Sequence, residues 1–222
     1  MTSDFSAVKA LIFDLDGTLI DSKQDLVTSV NAMLRQLGRG ELRSEVIASY
    51  VGSGASVLVK RALGPEASEE QVTNALAIFL EHYEAHELDT TRAYPGVAET
   101  LPKLAGYPLA VLTNKPWRIS VRILEGLGLA PFFKLVYGGN SFETKKPDPL
   151  GAQIILREFN IAREQAVMVG DSEVDVQTAR NAGMLAVVVN YGFGTHDRKA
   201  YPADVYLDKF EELPLLLNHQ TR

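Results

Sequence analysis

Six short runs of the chain are apolar at nearly every position and do not alternate with polar residues. They cover 10–13, 109–112, 135–137, 166–169 and 186–189, with a weaker run at 205–207. Continuous apolar runs bounded by turn residues are typical of strands that are buried on both faces, as in a parallel sheet. From about Ala93 onward, segments with helical periodicity lie between these runs. The pattern therefore predicts an α/β fold built on a doubly wound parallel sheet.

The alternation of strand and helix is interrupted between the first run and Leu109. This interval has no convincing strand pattern, and helical periodicity covers 26–37, 44–50, 56–63 and 69–86. An insertion of this length exceeds a single crossover connection. We therefore predict a catalytic core formed by 1–21 and 93–222, with a separate helical cap domain at 22–92.

Composition limits the classes of function. The chain has 222 residues, 46% of them hydrophobic, and a formal net charge of -6, which argues against a nucleic acid or an anionic membrane as partner. The sequence contains no cysteine, which excludes disulfides, zinc thiolates and thiol catalysis. The N-terminus lacks the pattern of a signal peptide, and no apolar run is as long as a membrane span, so we expect a cytoplasmic protein.

Polar residues follow four of the predicted strands at the point where each strand ends. They are Asp14 and Asp16 after the first, Thr113-Asn114-Lys115 after the second, Lys145-Lys146 after the third, and Gly170-Asp171-Ser172 with Asp175 after the fourth. Ligands of doubly wound sheets bind outside the carboxyl ends of the strands. We therefore expect these side chains to converge on one edge of the sheet.

This set of side chains suits phosphoryl transfer through a carboxylate. Asp14 and Asp171 are hard oxygen donors suited to Mg²⁺, and a cation between them would offset their mutual repulsion. Asp14 is the candidate nucleophile and Asp16 the candidate acid and base. Asp175 lies one helical turn beyond Asp171, where it can orient the water shell of the metal or Lys146.

Other residues are candidates for binding the phosphoryl group. The Thr113 hydroxyl and neighbouring backbone N–H groups can bind phosphoryl oxygens, and Lys146 can neutralise their charge. Asn114 belongs to the same strand end and is included among the candidates. Gly17 removes a side chain where the backbone must turn closely past the phosphate.

The segments "DLDGTLIDS", "TNK", "KKPDP" and "GDSEVD" resemble, in order, the four motifs of the haloacid dehalogenase superfamily. The resemblance implies a Rossmann-like core with a helical cap inserted after the first strand. It also implies a Mg²⁺-dependent reaction, with the metal held by Asp14, the backbone carbonyl of Asp16, and Asp171. By the same resemblance Thr113 and Lys146 hold the phosphoryl group. True dehalogenases lack the second acid of the first motif, so Asp16 argues against that reaction.

The cap segment "YVGSGASVLVKRAL" is similar to that of bacterial phosphoglycolate phosphatases. This similarity predicts a phosphatase of small phosphorylated metabolites, with 2-phosphoglycolate as the substrate. The glycines at the start of the segment would let a loop close over the substrate, and Lys60 or Arg61 would meet its second anionic group.

Several alternatives stay open on the sequence alone. A sugar-phosphate phosphatase, a pyrophosphatase and a mutase similar to β-phosphoglucomutase use the same core. A phosphonate hydrolase would require a Schiff-base lysine from the cap, for which Lys60 is the candidate. A phospho-receiver module for signalling is a different class, which the long insertion and the "GDSEVD" segment disfavour. The sequence is compatible with a monomer or a homodimer.

Overall fold

The described residues contain eight strands, which form two sheets. The computed structural model describes residues 5–194 and 196–217, so the predicted core, 1–21 and 93–222, extends at both ends beyond the described residues. In chain order the strands are β1 (Ala10–Phe13), β2 (Ile20–Asp21), β3 (Arg92–Ala93), β4 (Leu109–Leu112), β5 (Leu135–Tyr137), β6 (Ala166–Gly170), β7 (Leu185–Val189) and β8 (Val205–Leu207). Each of the six predicted runs is confirmed as a strand.

The six longer strands make one parallel sheet in the order β5-β4-β1-β6-β7-β8. Counted one to six along the chain, this is the order 3-2-1-4-5-6 of Rossmann-like folds. The last residue of β1, Phe13, pairs with Val111 of β4 and with Val169 of β6. The residues that follow these three strands therefore lie side by side, next to the point where the strand order reverses.

The absence of alternation in the strands has a direct cause in the packing. Leu11 and Phe13 of β1 belong to the apolar cluster on one face of the sheet, and Ala10 and Ile12 belong to the cluster on the other. Both faces are covered, so both sets of side chains must be apolar.

Helices cover both faces of the sheet and fill the insertion. They are α1 (Lys23–Gln36), α2 (Ser44–Ala48), α3 (Ala55–Leu63), α4 (Glu69–His86), α5 (Val97–Thr100), α6 (Trp117–Gly126), α7 (Leu150–Phe159), α8 (Glu173–Ala182) and α9 (Leu213–Leu217). Ile123 of α6 packs on one face, and Ile155 of α7 and Val176 of α8 pack on the other, which confirms the doubly wound arrangement. In the described part of the chain, no helix combines the length and the apolar character that a membrane crossing requires.

The four helices predicted in the insertion are confirmed as α1 to α4. Helix α4 begins with a capping box, in which Ser68 Oγ accepts from the Gln71 backbone N–H (3.2 Å) and the Gln71 side chain accepts from the Ser68 N–H (2.9 Å). The helix α1 buries Val30 and Met33 against the rest of the insertion and the core.

The expectation that no strand occurs between β1 and β4 is wrong. Strands β2 and β3 form a two-residue antiparallel pair, in which Asp21 is opposite Arg92. The pair joins the chain where it leaves for the helical insertion to the chain where it returns. Two residues are too few to show a period of two, so no sequence pattern marks them.

Candidate active site

Three polar residues from three neighbouring strands meet at the carboxyl edge of the parallel sheet. Asp14 follows β1, Thr113 follows β4, and Asp171 follows β6. Each is almost fully buried, with 6%, 3% and 5% of its surface exposed. The parallel pairing of these strands brings the three side chains to one place, as the sequence analysis expected.

Asp14, Asp171 and Asp175 form a cluster of buried carboxylates. One oxygen from each lies within 4.8 Å of the others. Burial raises the pKa of Asp14 to about 6, against the attraction of Lys146 and with the repulsion of Asp175 adding to it. Burial, together with the charges of Asp175 and Asp14, also raises the pKa of Asp171 well above its usual range. Hard oxygen donors that repel one another in a buried site fit a divalent cation such as Mg²⁺.

Glycines surround the Asp171 carboxylate. Gly17 has a φ of +83°, and a Cβ atom at this position would lie 2.0 Å from Asp171 Oδ2. The loop after β7 approaches from another side, where the Gly194 N–H donates to Asp171 Oδ2 over 2.7 Å. The sequence analysis assigned this loop no role in the site. A side chain at Gly17 would therefore collide with the Asp171 carboxylate.

Lys146 joins two of the carboxylates. Its Nζ lies 2.8 Å from Asp14 Oδ1 and 2.6 Å from Asp175 Oδ1. Burial lowers the pKa of Lys146, but Asp14 and Asp175 outweigh this effect, so the pKa is raised and the ammonium stays charged. Asp175 also accepts hydrogen bonds from the backbone N–H (3.1 Å) and the hydroxyl (2.7 Å) of Ser172, where α8 begins. Asp14 and Asp175 thus hold the Lys146 ammonium from two sides, and Ser172 in turn holds the Asp175 carboxylate.

Asp16 has a separate set of partners. It accepts a hydrogen bond from Ser22 Oγ (2.5 Å), and its two oxygens lie 2.9 Å and 3.0 Å from Lys115 Nζ. Lys115 Nζ also donates to the hydroxyl of Tyr83, on α4, over 2.6 Å. Burial lowers the pKa of Lys115, but Asp16 and Tyr83 outweigh it and the pKa is raised. A buried ammonium thus links the core to the helical insertion.

A small cavity lies between the core and the helical insertion. It offers about 40 Å³ of space for the centres of water-sized molecules. Asp14, Asp16, Thr113 and Lys115 contribute to its core side, and Val51, Gly52, Leu58, Phe79 and Tyr83 contribute to the side of the insertion. The Asn114 side chain fastens this arrangement, because its Nδ2 donates to the carbonyls of Gly52 and Lys146, over 2.9 Å each.

Most of the predicted site residues come together in the structure. Those grouped around the sheet edge and the cavity are Asp14, Asp16, Gly17, Thr113, Asn114, Lys146, Asp171 and Asp175. Their common feature is that each follows a strand of the core or begins the helix after it.

Lys60 and Arg61 are not brought to this cavity. Both are exposed, and they line a separate surface depression with Tyr50 and Val57. The reason is the rotation of α3, which turns the Leu58 side chain toward the cavity and leaves the two cations outside it. The structure therefore supports neither the expected contact with a second anionic group nor a Schiff base of Lys60 at this site.

The sequence analysis missed two residues of the site, Ser22 and Tyr83, and it placed Lys115 at the edge of the sheet without assigning it a role. Lys115 carries a visible signal, because it directly follows Thr113 and Asn114 at a strand end. Tyr83 has none, because an aromatic residue at helical spacing looks like packing. Ser22 resembles an ordinary residue before a helix.

The comparisons with known proteins agree with this geometry. The family model described as haloacid dehalogenase-like hydrolase matches residues 11–189. A phosphoglycolate phosphatase of Pseudomonas syringae pv. tomato is 42% identical over 193 residues, covering 83% of this chain and 70% of the relative. One of Colwellia psychrerythraea is 38% identical over 218 residues, covering 94% of this chain and 96% of the relative.

Among solved structures, a predicted phosphoglycolate phosphatase from Haemophilus somnus superimposes with a TM-score of 0.88 at 31% identity. The match covers 95% of this chain and 98% of that one. The fold, the order of the four motifs along the chain and these matches agree with one another. The chain belongs to the haloacid dehalogenase-like hydrolase family.

Proposed function

We propose that this protein is a Mg²⁺-dependent phosphatase of small phosphomonoesters, and that its substrate is 2-phosphoglycolate. The observation that carries the chemistry is the buried cluster of Asp14, Asp171 and Asp175 with Lys146 in contact with two of them. The relatives named phosphoglycolate phosphatase support the choice of substrate.

Asp14 is the proposed nucleophile. Its Oδ1 lies 2.8 Å from Lys146 Nζ, which places a cation beside the oxygen that would attack the phosphorus. In the first step an Asp14 oxygen forms a bond to phosphorus while the bond from phosphorus to the glycolate oxygen breaks. Asp16, which enters this step as the carboxylic acid, supplies the proton that the departing oxygen takes.

Water completes the cycle in the second step. Asp16, now a carboxylate, accepts a proton from a water molecule, whose oxygen attacks the phosphorus and releases Asp14 and phosphate. Lys146 and the Thr113 hydroxyl neutralise and bind the phosphoryl oxygens. Asp14, the carbonyl of Asp16, and Asp171 are the proposed ligands of Mg²⁺, which when bound offsets the repulsion between the carboxylates and the phosphate.

The helical insertion, 22–92, is proposed to act as a cap that selects small substrates. Leu58, Phe79 and Tyr83 of the insertion form one wall of the cavity above Asp14. The volume of this cavity that is open to water-sized molecules is about 40 Å³, which corresponds to roughly three water molecules at about 10–15 Å³ for each. A short tail such as that of glycolate suits this space better than a sugar does.

The test is a comparison of kcat/KM for 2-phosphoglycolate with sugar phosphates, a nucleotide, pyrophosphate and a phosphonate, each with Mg²⁺ and with excess chelator. We expect a preference for 2-phosphoglycolate of about a hundredfold or more, equivalent to about 2.7 kcal/mol, and activity that depends on the metal. A flat profile would contradict the substrate while leaving the phosphatase chemistry in place. Full activity in chelator would contradict the metal.

A further inference from the structure

Each of the two acids after β1 has its own buried lysine. Lys146 contacts Asp14, at the position proposed for phosphoryl transfer, and Lys115 contacts Asp16. Among the described residues that line the cavity, Lys115 supplies the only cationic side chain. A substrate with two anionic groups would thus meet a cation at each end, with its phosphoryl group toward Asp14.

We propose that Lys115, held between Asp16 and Tyr83, binds the carboxylate of the substrate and sets the specificity of the enzyme for an anionic tail. This inference rests on the proposed function and names the residue that recognises the part of the substrate which does not react. It replaces Lys60 and Arg61, which the structure places outside the cavity.

The hydrogen-bonding capacity of Lys115 allows this contact. An ammonium group has three N–H donors, and in the structure they face both oxygens of Asp16 and the Tyr83 hydroxyl. One hydrogen bond is enough to keep Asp16 paired, so a second donor can turn to a substrate oxygen without leaving the aspartate alone.

Burial makes the contact selective. The Lys115 side chain is 3% exposed, and its Nζ lies 4.6 Å from the centre of the Tyr83 ring. Water competes weakly for a cation in such a place, so a carboxylate is favoured strongly over a neutral group of the same shape. Because Tyr83 belongs to α4, substrate binding at Lys115 also depends on the packing of the insertion against the core.

The experiment compares 2-phosphoglycolate with its amide, phosphoglycolamide, which has the same shape and a neutral tail. The readout is the ratio of kcat/KM for the two substrates in the wild type, in Lys115→Gln and in Lys115→Arg. We expect Lys115→Gln to lower the ratio about tenfold or more, and Lys115→Arg to keep most of it. Lys134→Gln, which removes an exposed cation outside the site, is the control and should leave the ratio unchanged.

The ratio separates the possible outcomes. If Lys115→Gln lowers kcat/KM equally for both substrates, Lys115 serves Asp16 or the phosphoryl group, and the inference is overturned while the proposed function stands. A wild type that does not distinguish the two substrates would overturn the inference and the proposed substrate together.

If Lys115→Gln does not fold in a thermal unfolding scan, Tyr83→Phe decides the question. It keeps the ring but removes the hydroxyl that positions the Lys115 ammonium from α4, so the ratio should fall about threefold or more; an unchanged ratio overturns the inference.

Discussion

At the scale of single residues, the site is an arrangement of buried charges that only partly cancel. Lys146 contacts two of the three clustered aspartates, Asp14 and Asp175, and a fourth aspartate, Asp16, is paired with Lys115. Glycine backbone, rather than further side chains, fills the space around Asp171. The geometry of the cluster therefore depends on residues that carry no reactive group.

Gly17→Ala tests this dependence. The new Cβ would lie 2.0 Å from Asp171 Oδ2, so the carboxylate must move and kcat/KM should fall about a hundredfold or more. Gly38→Ala is the matched control, because Gly38 also has a positive φ, +68°, but open space around it. It should cost about 1–2 kcal/mol of stability at most and leave kcat/KM unchanged. Equal kinetic losses in the two variants would show that backbone strain, and not the position of Asp171, is responsible.

At the scale of elements, a buried carboxylate adds to the links that connect the core with the helical insertion. Asp25, in the first turn of α1, is 2% exposed. It accepts hydrogen bonds from the backbone N–H and the hydroxyl of both Thr90 and Thr91, over 2.5–3.0 Å. The returning chain is thus tied to the start of the insertion. Burial acts to raise the pKa of Asp25, but these hydrogen bonds outweigh it and hold the pKa below its ordinary value.

Asp25→Asn should destabilise the protein by about 2–3 kcal/mol at pH 7, because an amide cannot accept all of these bonds. A depressed pKa stabilises the folded state above the pKa of the unfolded chain, about 3.9, and the contribution is lost as the pH falls through the folded value. Urea unfolding should therefore show a difference from wild type that is constant between about pH 5 and 8 and narrows below about pH 4.

Asp89→Asn is the control for this variant. Asp89 lies in the same connection and forms an exposed pair with His86, so its loss should change the stability by less than about 0.5 kcal/mol. A difference between Asp25→Asn and wild type that stays the same at pH 3.5 and pH 7 would contradict the role assigned to the Asp25 charge.

Some elements of the fold could be predicted from sequence patterns alone, and others could not. Strands such as β1 and β4 were predicted residue by residue, because burial on both faces leaves an unbroken apolar run. The pair β2 and β3 was missed because two residues carry no period. Lys60 and Arg61 were assigned from their charge and from the resemblance of their segment to a known cap, and only the rotation of α3 in the fold shows that they lie outside the cavity.

At the scale of the whole molecule, the active site is formed by two parts of the chain that are far apart in sequence. The core supplies the proposed reacting groups at the edge of its parallel sheet, and the insertion supplies Tyr83 and the apolar wall. The four motifs could be recognised from the sequence because each follows a strand. The contact between Tyr83 and Lys115 could not, because it depends on how the insertion packs over the core.

The proposal that Asp14 receives the phosphoryl group can be tested by rapid acid quenching. The enzyme is mixed with Mg²⁺ and ³²P-labelled 2-phosphoglycolate, quenched within one turnover, digested and mapped. We expect a hydroxylamine-sensitive label on the peptide that contains Asp14, and no label in a folded Asp14→Asn variant, whose kcat falls about a thousandfold or more. A label on another residue, or an Asp14→Asn variant that keeps about a tenth of the wild-type rate, would contradict it.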